Sequence, residues 1–131
     1  MRLNHECVRQ IMLTIESDIP YNHYFDKEDL FNHKNLKDFT KEEILYTLFK
    51  LKEAEYIDCR IQETFSDEIY EVNLKALTWS GHQFLDNIRD PEVWRKTKSV
   101  TAKFASASLT LISNIAAEVI VRMIDKTIFN S

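Results

Sequence analysis

The chain has 131 residues, 44% of them apolar and 29% charged, with one glycine, two prolines and a formal net charge of −4. That size fits one domain with room for an extension, and a single glycine excludes phosphate loops, dinucleotide fingerprints and the nucleophile elbow, each of which needs at least two. Residues 1–90 hold eleven Lys and Arg against eighteen Asp and Glu, a balance of −7, whereas residues 91–131 hold six against three, a balance of +3; an acidic body with a mildly basic tail is a poor match to a phosphate backbone.

The first element predicted is a helix over about Leu3 to Glu16, because Val8, Ile11, Met12 and Ile15 fall at i, i+3, i+4 and i+7, with Asn4 as its cap and Glu6 in its first turn. The stretch Ser17 to Asp38 is polar, carries Pro20, and mixes Tyr21, Tyr24, Phe25 and Phe31 with His23, His33, Lys34 and Lys37. A connection of that length is expected to hold some order, with a short strand or helical turn around Glu28 to Phe31. The next start is sharper. Thr40 and Glu43 make a capping box, Phe39 and Ile44 a hydrophobic staple, and Ile44, Leu45, Leu48 and Leu51 mark a buried face ending near Ala54-Glu55. Tyr56 to Gln62 then alternates, Ile57, Cys59 and Ile61 against Asp58, Arg60 and Gln62, and after a polar turn from Thr64 to Glu68 the alternation resumes at Tyr70, Val72 and Leu74: a hairpin.

From Leu77 the punctuation changes again. Thr78 is a cap, Phe84, Leu85 and Ile88 recur at helical spacing, and Gly81 shares the face of the first two. Asp90-Pro91-Glu92 restarts the chain as a cap, a proline at the first helical position and an acid in the first turn, which predicts a long helix. From Phe104 to Phe129 the apolar positions cover well over half the helical circumference. Helix, loop, capped helix, hairpin, helix is the order expected of a winged-helix domain with a two- or three-stranded wing. The expected class is therefore α+β, mainly α, with residues 1–90 as the winged-helix-like domain and 91–131 as a C-terminal helical extension.

The run from Leu77 to Lys98, Leu-Thr-Trp-Ser-Gly-His-Gln-Phe-Leu-Asp-Asn-Ile-Arg-Asp-Pro-Glu-Val-Trp-Arg-Lys-Thr-Lys, resembles the signature of a bacterial and prophage family, domain of unknown function 2513. The resemblance extends back through Glu42-Glu43-Ile44, Tyr46-Thr47-Leu48 and Ala54-Glu55-Tyr56-Ile57, and with Leu3 to Ile15 it covers roughly three quarters of the chain. It implies a fold and a bacterial or phage origin, and no catalytic residues. Such chains commonly carry glycine where this one has Glu55, so Glu55 either stays helical or bears a left-handed strain of about 1 kcal/mol.

Chemistry is sparse. His5-Glu6-Cys7-Val8-Arg9 begins like a zinc-protease motif but has Arg9 where the second histidine must stand, and Cys7 and Cys59 read as buried reduced thiols. His82 near Thr78 or Ser80 lacks a third orienting group, and Thr78 is already a cap. No metal, no cofactor and no enzyme activity are expected. For nucleic acid the candidate contacts are His33, Lys34, Lys37, Lys41, Lys50 and Arg60, against which Glu42, Glu43, Glu53 and Glu55 on the capped helix and Asp58, Glu63, Asp67 and Glu68 on the wing weigh as repulsion. The plain alternative for those bases is a solvated loop.

The last helix is the stronger hint. Leu109, Ile112, Ile115, Val119, Ile120, Met123 and Ile124 are the candidate oligomer interface, because one face can pack on the body and the surplus needs another partner. Asn114, Glu118, Arg122, Asp125 and Lys126 resist membrane insertion, and Glu118 and Arg122 are spaced for an i, i+4 pair. With no apolar leader at the start, a cytoplasmic chain is expected. The functional expectation is a non-enzymatic winged-helix binding module, dimerising through the last helix and recognising an unidentified protein partner. The alternative is a DNA-binding regulator whose dimer sets two capped helices one helical turn of DNA apart.

Overall fold

A computed structural model describes residues 1–63 and 70–129; the turn from Thr64 to Glu68, with Asp67 and Glu68, lies outside them. Contacts divide the chain into two units, Met1–His82 and Gln83–Ser131, with the boundary inside one helix. Among the described residues the chain is mainly helical, with one two-stranded antiparallel sheet.

In the first unit α1 spans His5–Asp18 and starts at Asn4, whose Oδ1 accepts from the amides of Glu6 and Cys7 at 3.0 and 3.2 Å. Cys7, Val8, Ile11, Met12 and Ile15 form its buried stripe. The obscure stretch is ordered by a cap made of two aspartates. Asp29 N–H donates to Asp26 Oδ1 and Asp26 N–H to Asp29 Oδ2, both at 2.9 Å, which opens the short helix α2 (Lys27–Phe31). A 3-10 turn at Lys34–Leu36 follows, and Leu30 and Leu36 close the core from this side.

Helix α3 (Lys41–Glu53) opens on the expected reciprocal bonds between Thr40 and Glu43, each 3.1 Å. Glu43 does a second job, since its Oε2 accepts from Asn4 Nδ2 at 2.9 Å and so ties the α3 cap to the α1 cap. Ile44, Leu48 and Leu51 are buried. The chain leaves α3 through Glu55 at φ 62°, the left-handed conformation that favours glycine.

Strand β1 (Ile57–Glu63) pairs with β2 (Tyr70–Leu77). Strict alternation fails at one point. Ile57 pairs with Leu77, Asp58 with Ala76 and Cys59 with Leu74, so three residues on β1 answer four on β2, and a bulge beside Asp58 and Cys59 takes up the extra residue. Ile57, Cys59, Leu74 and Leu77 consequently all stay buried. Phe25 adds a single antiparallel bridge on the far side of β2, exchanging both backbone bonds with Leu74 at 2.9 Å.

The hairpin hands over to α4 (Trp79–Ile88) at a tight crossing. Thr78 N–H donates to Tyr56 O at 3.0 Å, its hydroxyl donates to Glu55 O at 2.6 Å, and the same oxygen accepts from Gly81 N–H at 3.1 Å. Gly81 lies so close that a Cβ there would stand 2.0 Å from the Tyr56 carbonyl oxygen. Only glycine fits that contact.

In the second unit Asp90 caps α5 (Pro91–Thr101) by accepting from Glu92 and Val93 at 2.9 and 3.0 Å. The long helix expected from this start is not formed: α5 has 11 residues, about the length of α4 with 10. The long helix is α6, and it begins at Leu109 instead of Phe104 because Ser108 Oγ caps it by accepting from Leu111 N–H at 3.0 Å. Helix α5 packs on α6, with Val93, Trp94 and Thr97 buried on one and Ile112 and Ala116 on the other.

Candidate interaction surfaces

Helix α6 spans 21 residues, Leu109–Phe129, and its burial decays along its length. Of the candidate interface residues, Ile112 is buried in its own chain, Leu109, Ile115, Val119, Ile120 and Met123 are half-buried, and Ile124 is 47% exposed. The most exposed apolar side chains lie further on or further round, Val121 at 51%, Ile128 at 62% and Phe129 at 76%. At about 100° per residue, Ile112 and Ala116 define one stripe, and Ala117, Ile120, Val121, Ile124 and Ile128 define a second, rotated about a third of a turn away. The first stripe belongs to the fold. Beside the second lies a groove of about 360 Å³, between the first turn of α5 and the last turns of α6, lined by Asp90, Val93, Ile120, Met123, Ile124, Thr127 and Ile128. Among the described residues Glu118 and Arg122 are not joined in an ion pair, although they stand one turn apart; one polar tie in this unit runs from Asn87 Nδ2 to Ser113 Oγ at 2.9 Å. No described helix is long and apolar enough to cross a membrane.

The six candidate nucleic-acid contacts fall into three places. His33, Lys34, Lys37 and Lys41 lie on the segment from the end of α2 to the start of α3. His33 is committed to the fold: its Nδ1 accepts from Asn35 N–H at 3.0 Å, which puts the ring proton on Nε2, hydrogen-bonded to Asp18. That bond holds the Asp18 carboxyl below its ordinary range. Lys41 Nζ stands 5.4 Å from the Phe31 ring centre. Lys50 sits in the last turn of α3, bonded to Glu53 at 3.1 Å and held over Tyr46, and Arg60 faces a separate pocket on the hairpin.

Potential reactive groups are likewise in structural use. Burial pushes the Cys7 and Cys59 thiols up to about 11, far from the range of a nucleophilic cysteine. The Thr78 hydroxyl is spent on Glu55 O, and His82 Nδ1 lies 3.9 Å from Glu16 Oε2. Among the described residues no group of three His, Cys, Asp or Glu could hold a metal ion.

The capped α3, the Glu55 exit and the Thr78–Gly81 crossing occupy the stretches that carry the resemblance read from the sequence, and the chain matches the family described as hypothetical protein (DUF2513) over residues 2–108. The chain belongs to this family. The family match stops one residue short of α6. An uncharacterized protein of Haemophilus influenzae (strain ATCC 51907 / DSM 11121 / KW20 / Rd) is 26% identical over 125 residues, 95% of this chain and 99% of that one. No solved structure matches the chain.

Proposed function

We propose that this chain is a cytoplasmic, bacterial or prophage-encoded, non-enzymatic winged-helix module that self-associates through α6 and recognises a protein partner with its hairpin. The winged-helix reading is supported by element order: α1, the Phe25 strand bridge, α2, α3, then β1 and β2, with the bridge on the β2 side of the hairpin. In that reading α3 is the recognition helix, and its exposed acids Glu42 and Glu53, with Asp58 and Glu63 of β1, favour a protein over a phosphate backbone.

The observation that carries self-association is the second apolar stripe of α6, with Val121, Ile124 and Ile128 exposed along one line. A helix with one stripe buried and another bare gains by meeting a second copy across a two-fold axis. The test is light scattering on the whole chain and on a double substitution, Ile124→Glu with Ile128→Glu. A dimer mass that falls to the monomer in the variant supports the reading; monomers in both overturn it. A DNA-binding regulator is the second reading, favoured by Lys34, Lys37 and Lys41 lying together ahead of α3. Its mark is duplex binding that weakens steeply with added salt.

A further inference from the structure

The outer face of the hairpin holds a polar pocket of about 450 Å³, lined by Tyr24, Asp26, Lys27, Glu28, Arg60, Gln62, Glu71, Val72 and Asn73. Two features of it are unusual. Its charged groups do not satisfy one another: among the described residues the side chains of Lys27, Glu28, Arg60 and Glu71 enter no hydrogen bond or ion pair. Asn73 Oδ1 is enclosed and has no hydrogen-bond partner, which costs about 1–3 kcal/mol in a buried site.

The second feature is backbone. Val72 is 5% exposed yet lines the pocket. Leu74 turns both its N–H and its C=O to Phe25, away from β1. Backbone groups alternate sides along a strand, so Val72 turns its N–H and C=O to that same side, and Tyr70 does likewise. The Phe25 segment never reaches them, because Lys27 opens α2 and carries the chain out of the sheet. Among the described residues two ladder positions on the free edge of β2 are therefore left open, and an open edge is a template for another strand.

We infer that this edge takes an extended, lysine- or arginine-bearing peptide segment of a partner protein, added antiparallel to β2 where the Phe25 strand breaks off. The inference rests on the reading of the hairpin as a protein-recognising surface and is independent of self-association. Charge selects the occupant. Residues Met1–His82 hold ten Lys and Arg against sixteen Asp and Glu, the pocket lining itself sets Asp26, Glu28 and Glu71 against Lys27 and Arg60, and Glu71 stands on the edge beside Val72, where a basic side chain of the added strand meets it.

The test begins with amide hydrogen exchange on the whole chain. Val72 N–H is expected to exchange at least about a hundredfold faster than Asn73 N–H and Leu74 N–H, which are paired; equal protection across the three overturns the inference. Synthetic eight-residue peptides alternating valine with lysine, and valine with glutamate, are then titrated while the amides are followed by NMR. The lysine peptide is expected to bind at least about tenfold more tightly at low salt, to protect Val72, and to lose about tenfold or more on N-methylation at the residue facing Val72. Binding to the hairpin that leaves Val72 unprotected and ignores N-methylation overturns strand addition while leaving the hairpin as a recognition surface. Absence of any shift on the hairpin with either peptide overturns the inference and the protein-recognition reading with it.

Discussion

Replacing Gly81 by alanine sets two opposing effects on one residue. In an unconstrained helix the exchange stabilises by about 0.5–1 kcal/mol, since glycine has the larger backbone entropy to lose. Here the new Cβ would lie 2.0 Å from the Tyr56 carbonyl oxygen, 2.9 Å from the carbonyl carbon and 3.3 Å from Tyr56 Cα, all backbone atoms that no rotamer change can move. Ordinary contact begins near 3.4 Å, so the two backbone segments must part by over an ångström. That carbonyl accepts from Thr78 N–H at 3.0 Å, and the Thr78 hydroxyl bonds Glu55 O at 2.6 Å. Overpacking costs about 1–3 kcal/mol and each stretched hydrogen bond about 0.5–1.5 kcal/mol. Against the helix gain, Gly81→Ala is expected to destabilise by about 2–4 kcal/mol. Urea unfolding followed by far-ultraviolet circular dichroism gives the number, as a lowered midpoint at unchanged slope. Ser80→Ala, at the exposed neighbouring position of α4, is the control and should stay within about 0.5 kcal/mol. A Gly81→Ala protein as stable as the parent would refute the crossing geometry at Tyr56 and Thr78.

Glu55→Gly should stabilise by about 1 kcal/mol, read as a raised urea midpoint, because φ 62° is costly for glutamate and free for glycine. Thr40→Ala removes one half of the α3 capping box and should cost about 1 kcal/mol in the same assay. The hydrogen bond from Asn4 holds the Glu43 carboxyl below its ordinary value of 4.5. A depressed folded value means that this group's stabilising contribution is complete above 4.5 and is lost as pH falls through the folded value. The parent should therefore lose more stability between about pH 6 and pH 3 than Glu43→Gln does; equal losses would argue against the link between the two caps. With their thiols near 11, Cys7 and Cys59 should react with an aromatic disulfide reagent only as fast as the chain opens, and a fast phase in the native protein would contradict their burial.

Much of the fold is legible in the residues because its helix starts use strong local chemistry. Asn4, Thr40 with Glu43, Thr78 and Asp90 each cap a helix in the structure as their side chains dictate. The misses have physical reasons. The α2 cap is a capping box written with two aspartates, Asp26 and Asp29, where the usual pattern looks for a hydroxyl and a longer acid. The bulge beside Asp58 and Cys59 is invisible to strict alternation: Val72, Leu74 and Leu77 change parity partway along β2, and only the pairing partner reveals why. The length expected after Asp90 fails because a start signal fixes where a helix begins and says nothing about where it ends; Ser108 starts the long one afresh.

The surfaces were less legible than the fold, because a side chain's availability depends on what its own chain has already placed against it. Lysine and histidine from His33 to Lys41 look alike as a basic run, yet His33 is consumed as a cap and as the partner of Asp18 while Lys34 and Lys37 stay exposed. On α6 the apolar surplus is plain from periodicity, but its division is not: Ile112 and Ala116 are buried where α5 packs, so the side chains left bare are shifted toward Val121, Ile124 and Ile128. The same logic applies to the open edge of β2. Nothing in Val72 marks its backbone as unpaired; that follows only from Phe25 bonding Leu74 and then leaving the sheet into a helix that two aspartates start one residue later. An interaction surface of this kind is made by where a neighbouring segment stops, and the residues that stop it stand tens of positions away in the sequence.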